Sequence, residues 1–203
     1  AGRALLPELG CAGLSVRALA AQAGVAPGMF HYHFGSKERF LRTLLSGLYE
    51  EMYASLAAQV AQQGAPVERL RSALRLLARF ARQHRRLLVR LWADAIAGEV
   101  AARDFFRDNA PRHVALLMGL VQQARDQGAL RDLPPMTIFA FVFGAVALPT
   151  IFVGGLVDAG FVPPGGAGAF DAQVMSDAAI DARIELALAA LTAPARPKTR
   201  RTR

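Results

Sequence analysis

The sequence predicts an all-α protein, with a three-helix domain containing a helix-turn-helix pattern at its N-terminus and a larger helical domain behind it. Three observations carry this. The 203 residues are 53% hydrophobic, Ala, Leu and Arg dominate, and β signals are sparse. Gly and Pro divide the chain at helix-length intervals. Ser15, Gly24, Pro27 and Ser36 stand where short N-terminal helices would need their caps. The length suits one or two domains with a sizeable core.

Residues 1–9 read as the end of a helix stopped by Gly10, with Pro7 an awkward, kink-prone member of its last turn. Ser15 can cap VRALAAQA, whose Val16, Leu19, Ala20 and Ala23 share a face, and Gly24 can close it. Pro27 suits the first turn of the next helix, which runs through GMFHYHF. Ser36 then caps a helix reaching about Gln62, before Gly64. Pro66 opens another to about Gln83, and residues 84–97 form the next. EVAARDFFRD (99–108) reads as a short helix, restarted at Pro111 and running through Gln127. Pro134-Pro135 opens a long apolar helix to about Asp158, and 161–170 reads as a Gly/Pro loop. The last helix is expected over about 172–191. The domain boundaries that follow are 1–46, 47–193 and a basic disordered tail at 194–203.

Charge is uneven. Residues 1–46 carry five basic and two acidic side chains, residues 196–203 carry five basic and none acidic, and the middle balances. Basic ends favour a nucleic acid or another anion as partner for an end, and not an acidic partner for the middle. Cys11 stands alone, which removes any internal disulfide or cysteine metal cluster and suits the cytoplasm.

The stretch GVAPGMFHYHFGSKERF (24–40) could be core, metal site or contact surface. His31 and His33 lie about 200° apart on a helix, a poor geometry for one ion, and His84 and His113 are isolated in sequence. Phe30 and Phe34, four apart, make an inward face. His31, Tyr32 and His33 occupy the other faces, where they can donate to phosphate and pack on sugars or thymine methyls. Lys37 adds a cation beside the free amides of the following helix. Spacing alone leaves a helical hairpin in a bundle as open as a DNA-reading motif.

GLSVRALAAQAGVAPGMFHYHFGSKERFL (13–41) resembles the DNA-binding domain of the tetracycline-repressor (TetR) family. The resemblance rests on Gly10 to Ser15, Leu19-Ala20, Ala23-Gly24-Val25, the aromatic end of the third helix and Gly35-Ser36-Lys37-Glu38, about a sixth of the chain. It implies that residues 26–34 enter the major groove, supported by 15–23. Ser15 would then touch backbone phosphate, Arg17 a phosphate or guanine edge, and Met29 with the backbone of Pro27 and Gly28 the bases. His31, Tyr32, His33 and Lys37 would hold the backbone. The sequence departs from the family in three ways. His31 stands where Tyr is usual, Ala26 replaces the usual Ser or Thr cap, and the first helix is short, so its start is expected upstream of Ala1.

The resemblance further implies a ligand-binding and dimerisation domain, with an inducer cavity between helices and a homodimer through the last two long helices, about 135–158 and 172–191. Trp92, Phe105, Phe106, Met118, Phe139 and Phe143 are the expected lining, suited to a hydrophobic or aromatic inducer. A repressor released from a palindromic operator is the expected function, in the cytoplasm and without a membrane partner. Residues 136–157 have no charged side chain, so a membrane span is the competing reading of that helix. Arg71, Arg75, Arg79, Arg82, Arg86 and Arg90 recur every three or four residues and are expected to form a solvated face. No nucleophile elbow, zinc-protease motif, P-loop or dinucleotide fingerprint appears, so neither an enzyme nor a cofactor is expected.

Overall fold

The computed structural model describes residues 1–193, and the basic tail at 194–203 lies outside the described residues. Every extended element among the described residues is helical; one isolated antiparallel bridge, Leu130 with Thr192, ties the loop after the seventh helix to the end of the last.

Three short helices make the head: α1 (Gly2–Gly13), α2 (Val16–Ala23) and α3 (Pro27–Phe34). Ser15 caps α2 through its hydroxyl, which accepts the Ala18 N–H at 3.1 Å, and Gly24 closes it with φ 68°. α3 starts at Pro27 behind Ala26, which offers no side-chain cap. The helix α4 (Lys37–Ala61), capped by Ser36, runs unbroken through the expected boundary at residue 46. Head and body therefore share a helix. They also share a core, because Leu6, Leu14, Leu19, Phe30, Leu41 and Leu45 pack in one cluster with Leu87, Leu91 and Ala102.

The body continues with α5 (Pro66–Gln83), α6 (Arg85–Ile96) and α7 (Val100–Asp126). The expected break at Pro111 does not occur, and α7 is one helix of 27 residues. Pro111 lies on the exposed side, where water can take the carbonyl its missing N–H leaves free. The apolar rod Pro135–Asp158 is continuous, comprising α8 (Pro135–Val142), two π-helical stretches (Phe143–Ala147 and Pro149–Val153) and α9 (Gly154–Asp158). The wider π register falls at Pro149, which cannot donate a helical hydrogen bond. The rod crosses α6 closely at Gly155, where Val89 leaves no room for a Cβ.

Two expectations near the end are corrected. The Gly/Pro stretch folds into the short α10 (Pro164–Phe170) and a π turn (Asp171–Met175). The last helix does not begin at about 172. The chain extends at Ser176 (ψ 155°), whose hydroxyl accepts the Ala179 N–H at 3.2 Å, and α11 spans Asp177–Leu191. A Ser cap followed by an acidic first turn outweighs continuation through the preceding π turn.

The arginine stripe is not a solvated face. Arg71 meets Glu185, Arg75 meets Asp181, and Arg79 and Arg82 both meet Asp177, an antiparallel ladder between α5 and α11. Arg85 and Arg86 converge on Asp158 at the end of the rod, and the Arg85 guanidinium holds that carboxyl below the usual carboxylate range. Partly exposed pairs contribute only about 0–1 kcal/mol each, so the ladder's larger effect is to fix the register of α11 against α5.

Gly10 lies inside α1 with φ 69° and ψ 179°, breaking the helix where the sequence placed its stop. A Cβ there would stand 2.6 Å from the Asp94 carboxylate and 2.8 Å from Arg90 Nε. Gly10→Ala is expected to cost roughly 1–3 kcal/mol from backbone conformation alone, measured by urea denaturation, with a further loss from the clash.

Candidate functional site

The head presents a divided surface. Phe30 is buried, and its ring meets Phe34 at 5.4 Å and Phe40 at 5.3 Å, with Phe34 and Phe40 4.9 Å apart. This triad fastens α3 to the start of α4. Opposite it, Ser15, Arg17, Pro27, Gly28, Met29, His31, Tyr32 and His33 are all exposed. Tyr32 is 82% exposed and Met29 46%, high values for groups that would otherwise seek the core. Two of the expected contacts are also used internally. Lys37 Nζ donates to the Ala12 carbonyl at 3.2 Å, and His31 Nδ1 lies 3.2 Å from the Gly35 carbonyl.

An apolar cavity of about 410 Å³ runs through the body. Trp92, Phe105, Phe106, Met118, Phe139 and Phe143 all line it. The Trp92 ring lies tilted against Phe106 at 4.5 Å and Phe152 at 5.9 Å, and Phe139 stacks on Phe143 at 5.8 Å. Its polar lining consists of Tyr49, His84, Asn109 and His113, which sequence reasoning missed. Tyr49 Oη donates to the Asn109 carbonyl at 2.7 Å and lies 3.3 Å from His113 Nδ1. Burial pushes the Tyr49 phenol up to about 12 and lowers both histidines. Among the described residues no Asp, Glu, Lys or Arg lines the cavity. Among the described residues no group of three or more His, Cys, Asp or Glu could hold a metal ion.

Head and cavity meet at α6. Asp94, only 8% exposed, accepts the Cys11 N–H at 2.5 Å from the far side of the Gly10 break. Arg90 adds a contact to the Leu9 carbonyl at 3.4 Å. Leu87, Leu88, Leu91 and Trp92 of the same helix face the cavity. The Cys11 thiol, pushed up to about 12 chiefly by burial, is inert packing in this junction.

Residues 1–44 match the model for bacterial regulatory proteins of the tetR family. The head is that of the tetR family. The search of curated proteins returned no match. Solved structures of similar fold include FadR of Bacillus subtilis in complex with stearoyl-CoA, at TM-score 0.70 and 15% identity over 94% of this chain and 95% of that one. KstR2, the ketosteroid transcriptional regulator of Mycobacterium tuberculosis, gives 0.66 and 21% over 94% and 91%. The TetR-family regulator PfmR of Thermus thermophilus gives 0.63 and 19% over 92% and 93%. At these identities the likeness is one of fold alone.

The buried imidazoles make stability depend on pH. Both His84 and His113 take a proton more readily in the unfolded chain than in the folded one. Their contribution is fully present above the unfolded value near 6.5 and is lost as pH falls below it. Urea unfolding should show a loss of stability between pH of about 7 and about 5, above the range where carboxylates titrate. In His113→Phe that loss should shrink.

Proposed function

We propose that this regulator is a homodimeric repressor, released from a palindromic operator when a hydrophobic or aromatic small molecule enters the cavity. One observation carries the reading: α6 bears both cavity-lining side chains and the carboxylate that grips the head. A ligand that moves Leu88, Leu91 or Trp92 acts on the helix that fixes Cys11. It then favours whichever head position accommodates it, and DNA affinity follows by population shift.

In the DNA complex α3 enters the major groove. Arg17 supplies most of the direct base readout, and Met29 contacts thymine methyls beside the backbone of Pro27 and Gly28. Ser15, His31, Tyr32, His33 and Lys37 contact the sugar-phosphate backbone. The stearoyl chain of the stearoyl-CoA in the FadR complex and the ring system of the ketosteroid named for KstR2 are both apolar, and a chain or a fused ring would each suit a cavity lined this way.

The dimer forms through the rod Pro135–Asp158 and α11. The rod is apolar enough to cross a membrane, and only 22% of its most apolar window is buried within the chain. One side, with Ile138, Val146 and Ile151, packs inward against the cavity, while Met136, Phe141, Leu148, Val153, Leu156 and, from α11, Leu186 stay exposed. A second copy covers such a face with its own rod and α11. The membrane reading keeps the same exposed face but leaves the ladder-bound α11 and its charges beside lipid, which is costly.

Gel shifts with a palindromic fragment from the DNA beside the gene should show salt-dependent binding that an apolar inducer weakens. Arg17→Ala should lose roughly 1–3 kcal/mol of discrimination at one base position per half-site, and unchanged base preference would remove that assignment. Leu186→Glu should turn the dimer into monomers by analytical ultracentrifugation and abolish binding to the palindrome. Recovery of the unaltered protein in membranes would reverse the dimer reading.

A further inference from the structure

The reading above leaves the inducer's polar chemistry open, and the cavity's polar atoms restrict it. Among the described residues the lining carries no charged side chain. An ion placed there meets no countercharge, and an unpaired charge away from water is strongly disfavoured. A neutral ligand avoids that cost. Rings suit the aromatic walls around Trp92, Phe106, Phe139 and Phe143. An apolar cavity of about 150 Å³ takes one benzene, so about 410 Å³ suits roughly two rings.

The polar side chains of the lining are not equally available. Asn109 is engaged: its amide donates to the Phe105 carbonyl at 2.8 Å, and its oxygen accepts from Arg112 at 3.4 Å. Tyr49 is held by the Arg112 guanidinium, 5.1 Å from its ring centre, and spends its one hydroxyl proton on the Asn109 carbonyl at 2.7 Å. The Tyr49 oxygen therefore offers only a lone pair to His113 Nδ1 at 3.3 Å. Burial keeps the His113 ring neutral, so its single proton belongs on Nδ1, where two oxygens can accept it. Nε2, at the other edge of the ring, is then a bare acceptor. It has no partner among the described residues, and it is not sealed in packing as Arg125 Nε and Arg183 Nε are. His84 packs on Phe80 at 4.4 Å, and no hydrogen bond among the described residues fixes which of its nitrogens holds the proton.

We infer that the inducer is a neutral aromatic compound of about two rings carrying a hydroxyl, which donates its hydrogen bond to His113 Nε2. This rests on the proposed ligand-responsive function and deepens it. A ketone or ether of the same shape sets a lone pair against the lone pair of Nε2. A carboxylate does the same and adds an unpaired charge, while an ammonium donates but brings a charge the lining cannot offset. The hydroxyl alone among these is both neutral and a donor. Its bond falls on the contact between α7 and α4, the helix that begins beside the head.

The test uses the full chain and four probes of one shape: 4-phenylphenol, its methyl ether, biphenyl and biphenyl-4-carboxylate. Binding is read by calorimetry at a pH of about 8, where a phenol keeps its proton and a free imidazole is neutral, and release by gel shift on the operator fragment. The phenol should bind about tenfold more tightly than the ether or biphenyl, and the carboxylate most weakly. In His113→Phe the phenol should lose that tenfold advantage while biphenyl still binds, which also reports that the cavity is intact. Nitrogen NMR of the unaltered protein, labelled in histidine, supplies a measurement that needs no variant. The unprotonated nitrogen of His113 should be Nε2, and its signal should move with the phenol and not with the ether. Equal binding of phenol and ether, an advantage that survives in His113→Phe, an unprotonated Nδ1, or no binding by any probe would overturn the inference. Release of DNA by all four probes alike would overturn it and leave the repressor reading intact. A phenol that binds with the expected preference and never alters DNA binding would leave the hydroxyl site standing and overturn the repressor reading.

Discussion

The arrangement depends on one buried carboxylate. Asp94 sits at the base of the Gly10 break, bonded to the Cys11 N–H, in a junction that also contains Leu6, Leu14, Leu87 and Leu91. A buried carboxylate without a partner is costly, and here the Cys11 N–H supplies a backbone donor at close range. The constraint runs both ways. Only glycine adopts the backbone angles of residue 10 without strain, and only a residue without a Cβ leaves room for that carboxylate. A tight, specific joint between head and α6 follows, where an ordinary apolar contact would slide.

The second constraint is the α5–α11 ladder. α11 packs on α5 through Ile180, Ile184 and Leu188, a contact that alone would tolerate several registers. Three carboxylates at four-residue spacing, Asp177, Asp181 and Glu185, matched antiparallel to Arg79, Arg75 and Arg71 at the same spacing, select one. Arg183 is the exception in this part of the molecule. It reaches the Val174 carbonyl and the Thr150 hydroxyl, meets no carboxylate among the described residues, and burial lowers its affinity for its proton.

The sequence carried the head almost completely. Ser15, Gly24, Pro27 and Ser36 act locally, through caps and fixed backbone angles, and local rules hold at short range. The division of the aromatic stretch into Phe30 and Phe34 inside and Tyr32 and His33 outside also followed from helical period alone. Failures came where tertiary context overrode a local rule. Pro111 reads as a break but lies on a wet face, and Ser176 reads as mid-helix but caps one. The arginine stripe was visible, but its partners lie about a hundred residues away, beyond any pattern of spacing. His84 and His113 looked isolated for the same reason, and only the packing of α4, α5 and α7 brings them to one cavity.

α4 runs unbroken from its Ser36 cap, beside the end of α3, into the body. Its 25 residues make a rod about 37 Å long. A stiff rod converts small angles into large displacements: a tilt of about 5° about one end moves the other by about 3 Å over that length. Two heads reading successive major grooves must stand about 34 Å apart. In the homodimer proposed above, a change in cavity width that tilts α4 by that angle would be enough, at the far end of the lever, to spoil the match with the DNA.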